Sequence, residues 1–355
     1  YVLLAVLALG WLFVAMPVGA EPYLAVRSGN QCLTCHVNKT GGGKRTVYGN
    51  AFGQVTMPAR APESFWNGVV MDYLAVGANL RAGAIATNTP GEDDTFEFDV
   101  EEAQIYLEFP LLPSLFTIYM DQQVSPGTNT REIFGLFTLL KNKAWIKAGR
   151  IFRPFGWRLE DDSEFVREVV GYNMNTPDDG VEAGITLNGF EVILAVTNGS
   201  AGGPEDNTGK QFSLLASYIS NMWRVGFSGN FNDAGEDERS VVGGFAGLRT
   251  GPISWLGEID YIDDQSLGTD GRKQVVGFVE GNWLIRQGHN LKLTYGGFDP
   301  DDDVSNDQQN RYSIVYEYNP FSYVQIRGGV RIRDGIPQNA AQNSDLYFLQ
   351  LHGYF

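Results

Sequence analysis

From Trp66 to Phe355 apolar and polar residues alternate, in runs of about ten separated by breaks that are by turns short and long. Strand side chains point to opposite faces with a period of two, so each run has one apolar and one polar face. The last run shows this: Tyr347, Leu349, Leu351 and Phe355 share one parity, and Gln350, His352 and Tyr354 the other. The same pattern recurs at Phe190, Val192, Leu194 and Val196, at Phe212, Leu214, Ala216 and Tyr218, and at Tyr312, Ile314, Tyr316 and Tyr318. The short breaks are Pro110 to Pro113, Asn188-Gly189, Ser220-Asn221, Thr250 to Pro252, Arg286 to His289 and Asn319-Pro320. The long ones, at 81–95, 123–130, 154–178, 199–209, 232–239, 263–271, 299–309 and 334–344, are rich in Gly, Asp, Asn and Pro. The alternation predicts an all-β chain, a transmembrane antiparallel β-barrel of about 16 strands with both ends on the short-turn side. A soluble sandwich or propeller has no need of it.

Composition narrows the partners. The 355 residues carry 42 Asp and Glu against 26 Lys and Arg, a net charge of −16, which argues against nucleic acid as a ligand. Acid is concentrated in the long breaks, at Glu92-Asp93-Asp94, Asp161-Asp162, Asp178-Asp179, Glu205-Asp206, Glu236-Asp237-Glu238, Asp263-Asp264 and Asp301-Asp302-Asp303. Such a rim attracts cations, either as a substrate field or as divalent bridges to outer-membrane lipid phosphates. The longest break mixes Arg150, Arg153, Arg158 and Arg167 with Glu160, Asp161, Asp162 and aromatics. That composition suits a loop folded into a lumen, the alternative being a self-neutralised surface loop. Gln325, Arg327, Arg331 and Arg333 share one parity and would make part of the lumen wall basic.

Three segments follow. Residues 1–20 are uncharged and apolar and end in Val18-Gly19-Ala20, as a cleaved signal peptide does; a retained anchor is the competing reading. Residues 21–64 are too few to enclose a large cofactor alone, so a small plug walled by the barrel of 65–355 is expected.

The only two cysteines lie in that plug, in Cys32-Leu33-Thr34-Cys35-His36. At this spacing two thiols add to the vinyl groups of a haem while the adjacent His36 presents an imidazole to its iron. Zinc would want four ligands, and the other histidines, His289 and His352, are far away in sequence. One covalent haem c is therefore expected on Cys32 and Cys35, with His36 proximal. For the sixth iron position Met57 is the nearest methionine after the motif; His352, on a lumen-facing parity near the end of the last strand, is its rival; an open position is the third option.

An export segment, one CxxCH near the mature amino terminus and a barrel of about sixteen strands together resemble the fused monohaem cytochrome-porins, the outer-membrane iron-oxidising cytochromes. At motif level the resemblance rests on Tyr23 to His36, which looks like that family's aromatic-Ala-Arg and Gly ahead of CxxCH, and on Tyr48-Gly49-Asn-Ala-Phe52-Gly53. It implies electron transfer across the bacterial outer membrane, with extracellular Fe(II) or another redox partner on one side and a periplasmic c-type cytochrome on the other. Two other readings stand beside it, a haem-plugged porin and one component of an outward-directed conduit.

Overall fold

The computed structural model describes residues 21–355 except 162, 173, 175, 206, 235–237 and 269. The expected export segment, residues 1–20, lies outside the described residues, as do the loop acids Asp162, Asp206, Glu236 and Asp237.

Sixteen antiparallel strands, from Leu74–Asn88 to Asp345–Tyr354, pair each with the next in sequence. The last closes on the first, from Asp345 opposite Asn88 to Tyr354 opposite Asn79. A short extra strand, Val69–Met71, pads the first one. Closure removes every sheet edge, which a barrel in hydrocarbon requires because nothing there can satisfy an open edge.

The parity read from the sequence is the parity of the wall. In the strand Phe190–Thr197 the residues Phe190, Val192, Leu194 and Val196 are exposed, while Glu191, Ile193, Ala195 and Thr197 are buried. Tyr347, Leu349 and Leu351 stand outward in the last strand; Gln350, His352 and Tyr354 are buried inward. Phe190, Trp223, Trp255 and Trp283 are exposed close to the short turns, and Phe96, Phe212 and Phe231 close to the other end. Two aromatic rings bounding an apolar band are what a barrel shows to lipid and its two interfaces.

The long breaks fall at one end and the last strand finishes at the other, as expected; Glu21 lies inside the lumen, against Lys292 at 3.1 Å. Three further details differ. The first long break is 89–94, because residues 81–88 continue the strand Leu74–Asn88. Arg81 there looks like a loop residue among Ala and Gly, yet it turns inward to Glu160 at 2.8 Å and Glu102 at 3.5 Å. The second break is only 126–128. An additional short turn joins Phe-containing Asn129–Leu139 to Ala144–Ile151, with Leu140, Lys141 and Asn142 at φ 49°, 55° and 69°. Leu and Lys are rarely chosen for left-handed backbone, so Asn142 alone marked it, without a Gly or Pro.

Two segments fill the lumen. Residues 21–60 enter from the short-turn end as three helical pieces, α1 (Pro22–Ser28), α2 (Cys32–Cys35) and α3 (Val47–Ala51), the last running into a wider π-helical turn, Phe52–Thr56. The break 152–177 enters from the long-loop end, and Phe152, Phe155, Trp157, Leu159, Phe165 and Tyr172 are buried. The inward reading of this loop is the one observed. The inward parity of Gln325 and Arg327 also holds, both being buried.

Candidate functional site

Polar wall residues hold the plug on several sides. Glu21 meets Lys292 at 3.1 Å, and the Tyr23 hydroxyl donates to Glu317 at 2.9 Å. Arg27 donates to Asn290 at 3.0 Å, and Lys44 pairs with Glu108 at 2.9 Å. Asn38 donates to Glu132 at 2.5 Å and accepts from Lys147, which is itself paired with Glu182 at 2.9 Å. Buried charges of this kind add little stability over apolar packing, but each costs several kcal/mol if left alone, so they fix one seating of the plug.

The chemistry-bearing residues sit in the middle of that seating. α2 is a single turn closed by the His36 N–H on the Cys32 carbonyl at 3.0 Å. Residues three apart on a helix share a face, which puts the two thiols side by side. Both are free and half-buried. Burial pushes the Cys35 thiol up to about 11, with the Cys32 sulfur adding to the effect and Arg45 opposing it. His36 then pairs antiparallel with Arg45, and three glycines at φ +94°, +80° and +62° turn the chain between them. Gly43 admits no side chain, since a Cβ there would lie 1.8 Å from the Tyr119 hydroxyl. Gly49 is equally constrained, with the Cys35 carbonyl oxygen 2.1 Å from where its Cβ would be. The glycine run thus serves as a tight seat against the wall.

His36 is 4 % exposed and its Nδ1 has no hydrogen-bond partner. Burial, with the Arg45 cation beside it, holds the imidazole down to about 3, against the opposing effect of the backbone at Gly43 and Gly42. The ring is neutral at any physiological pH, the form in which imidazole ligates a metal.

Cys32, Cys35, His36 and Met57 line one cavity, partly open to solvent. Leu24 and Phe52 of the plug, Phe155 and Trp157 of the infolded loop, and Ile193 and Leu215 of the wall supply its apolar surface. Met57 closes the π-helical turn, its N–H on the Phe52 carbonyl at 3.1 Å, and Pro58 ends the helix. Met57 also borders a shallower groove with Gln287, Gly288 and His289 at the short-turn rim.

His352 is placed elsewhere. It does not line this cavity; its Nδ1 lies 3.0 Å from the Gln325 amide oxygen and its Nε2 2.7 Å from that of Asn79. Both ring nitrogens are engaged in the wall, so of the two sequence candidates for a sixth ligand only Met57 shares the cavity of His36. His289 sits on the rim, 2.5 Å from the Tyr316 hydroxyl.

Sequence reasoning folded the loop of Arg158 inward but did not bring it to the cysteines, and it missed the wall contributions. Trp157 is held by its backbone N–H on Glu258 at 2.7 Å and its indole N–H on the Gly257 carbonyl at 3.1 Å. Arg224 stacks 5.2 Å from the Trp157 ring, pairs with Glu191 at 2.6 Å and donates toward the Cys32 sulfur at 3.8 Å. Arg158 donates to the Gly41 carbonyl at 2.6 Å, joining loop to plug. No local motif marks such positions; the inward parity of Arg224 and Glu191 was their one signal.

The donor set fits a haem: two neighbouring thiols, a buried neutral imidazole with an unpartnered nitrogen, a thioether on the same cavity, and aromatic walls. Asp301, Asp302 and Asp303 bring their carboxylates within 4.8 Å of one another on the rim. Among the described residues they form the one acidic cluster compact enough to hold a cation.

No family profile matches this chain, and no curated protein sequence does. The fold has solved counterparts. An anion-selective porin from Comamonas acidovorans superposes with a TM-score of 0.62 at 9 % identity, covering 79 % of this chain and 99 % of that one. Outer-membrane expressed OmpT of Vibrio cholerae gives 0.58 at 11 %, covering 81 % and 99 %. Salmonella typhi OmpF in complex with daunomycin gives 0.58 at 11 %, covering 79 % and 97 %. At such identities the likeness is one of architecture, a porin-type barrel.

Proposed function

We propose that this chain is a bacterial outer-membrane electron-transfer protein, a porin-type barrel that holds one haem c on Cys32 and Cys35. The observation that carries the reading is the shared cavity of Cys32, Cys35, His36 and Met57 toward the short-turn end of a filled lumen. A haem bound there supplies one-electron chemistry at its iron. The thiols of Cys32 and Cys35 fix it through two thioether bonds, and His36 offers its neutral imidazole as proximal ligand. Met57, on the same cavity, would offer its thioether sulfur to the iron, and a His and Met pair favours a raised potential. Leu24, Phe52, Phe155 and Trp157 would give the group an apolar surround on part of its surface, which raises the cost of the additional charge on oxidation. The barrel, through Lys292, Glu317, Lys147 and Glu132, keeps the site at fixed depth in the wall.

Electrons then enter from the acidic, cation-attracting long-loop end and leave at the short-turn rim, where Met57 borders the groove of Gln287 and His289. In this direction the donor is extracellular Fe(II) and the acceptor a soluble periplasmic cytochrome, as in the cytochrome-porins that the motif resembles.

The test is made on protein purified from outer membranes. Its denatured, reduced spectrum should show one c-type haem per chain, and Fe(II) at neutral pH should reduce the native haem. A haem-free chain, expressed in a host with haem-attachment machinery, would overturn the reading. A haem-bearing barrel that ignores Fe(II) and carries steady ionic current in a planar bilayer would make it a gated porin instead.

A further inference from the structure

The cavity has a charge surplus. Among the described residues its charged lining comprises Glu21, Arg45, Arg158, Glu191 and Arg224, His36 being neutral. Glu21 is paired with Lys292 at 3.1 Å and Glu191 with Arg224 at 2.6 Å. Arg45 and Arg158 are left. Arg45 is 8 % exposed; its guanidinium lies 4.9 Å from the centre of the Tyr354 ring, and no described carboxylate is within ion-pair distance. Glu160, whose field Arg45 feels, is held by Arg81 at 2.8 Å. Arg158, half-buried, donates to the Gly41 and Phe152 carbonyls and lies 5.2 Å from the centre of the Phe152 ring, again with no described carboxylate partner.

A buried guanidinium without an anion is expensive, and proteins keep such groups for a ligand that supplies one. Carbonyls and ring faces stabilise a cation without neutralising it, leaving the N–H fork able to receive a carboxylate. Haem carries two propionates, and two guanidinium groups of the lining, those of Arg45 and Arg158, have no described carboxylate partner. We propose that Arg45 and Arg158 bind the haem propionates, one arginine supplied by the plug and the other by the infolded loop. The inference rests on the haem reading above. It gives the loop a direct part in cofactor binding, and it explains why Arg224, neutralised by Glu191 and close to Cys32, has a different task beside the thioether bond.

The experiment uses the full-length protein with its covalent haem, as wild type and as Arg45→Gln, Arg158→Gln and Arg45→Lys. Because Cys32 and Cys35 retain the haem regardless, the readouts are the midpoint potential and the propionate-bending band of the resonance Raman spectrum. Removing a cation from an anionic propionate favours ferric iron, so each Gln variant should lower the potential and move the band, and Arg45→Lys should restore part of both. Wild-type values in both Gln variants, with haem attached, would overturn the proposal while leaving the electron-transfer reading intact. Absence of haem from the wild type would instead sink that reading and this one with it. Should Arg45→Gln fail to fold, the wild-type band and Arg158→Gln decide the matter: a wild-type band at the position of water-bonded propionate, or a silent Arg158→Gln, overturns it.

Discussion

The plug and the infolded loop do the same physical job from opposite ends, yet they differ in how they are fastened. The plug is tied by ion pairs and hydrogen bonds to the wall, at Glu21, Tyr23, Lys44 and Asn38. The loop has polar ties too, Glu160 to Arg81 at 2.8 Å and the Trp157 N–H to Glu258 at 2.7 Å, but it adds large buried aromatic contacts, Trp157 against Phe245 at 5.1 Å and Phe165 against Phe298 at 5.5 Å. Polar ties set position precisely and add modest net stability. Apolar burial adds stability at about 1.5–3 kcal/mol per large side chain. The reactive groups thus sit on the segment held almost wholly by polar ties, and the aromatic cover on the one that adds apolar burial to them.

Four measurements test this division. The largest effect is expected from the Cys32→Ser, Cys35→Ser double variant, which should lose all covalent haem on denaturing electrophoresis while the barrel keeps its heat-modifiable mobility. Trp157→Ala should leave haem attached but destabilise the barrel by about 3–5 kcal/mol in urea titration, since it empties a packed site. Met57→Ala should change the reduced spectrum and lower the midpoint potential, whereas His289→Ala, on the rim, should leave both unchanged. Smallest is Tyr354→Phe, which removes one hydrogen bond to the Gly53 carbonyl at 3.0 Å and should cost about 1 kcal/mol. A haem lost from Trp157→Ala, or a large destabilisation from Tyr354→Phe, would break the contrast between cover and anchor.

Most of the barrel was legible in the sequence because a wall with lipid on one side and a polar lumen on the other writes its geometry into every second residue. Phe190 to Val196 and Tyr347 to Leu351 needed no other information. The turn at Leu140, Lys141 and Asn142 was not legible, because its left-handed backbone is carried without Gly or Pro. Cys32, Cys35 and His36 were visible as a motif, and Met57 as their nearest methionine. Arg45, Glu191 and Arg224 were not, and Arg158 was visible only as one arginine of an infolded loop, since nothing local distinguishes a cavity arginine from a lumen arginine. Only the three-dimensional pairing separates Arg224, neutralised by Glu191, from Arg45, which is not.

The contact of Tyr354 with Gly53 joins residues 301 positions apart. Arg45 lies over the same ring, and Phe355 packs on Trp66 with centroids 5.0 Å apart. Tyr354 belongs to the strand that seals the cylinder, so the plug is clasped at the seam itself. A closing strand is bound on both sides by its neighbours, and here it is bound from within as well, so that the plug works as a dowel set behind the joint.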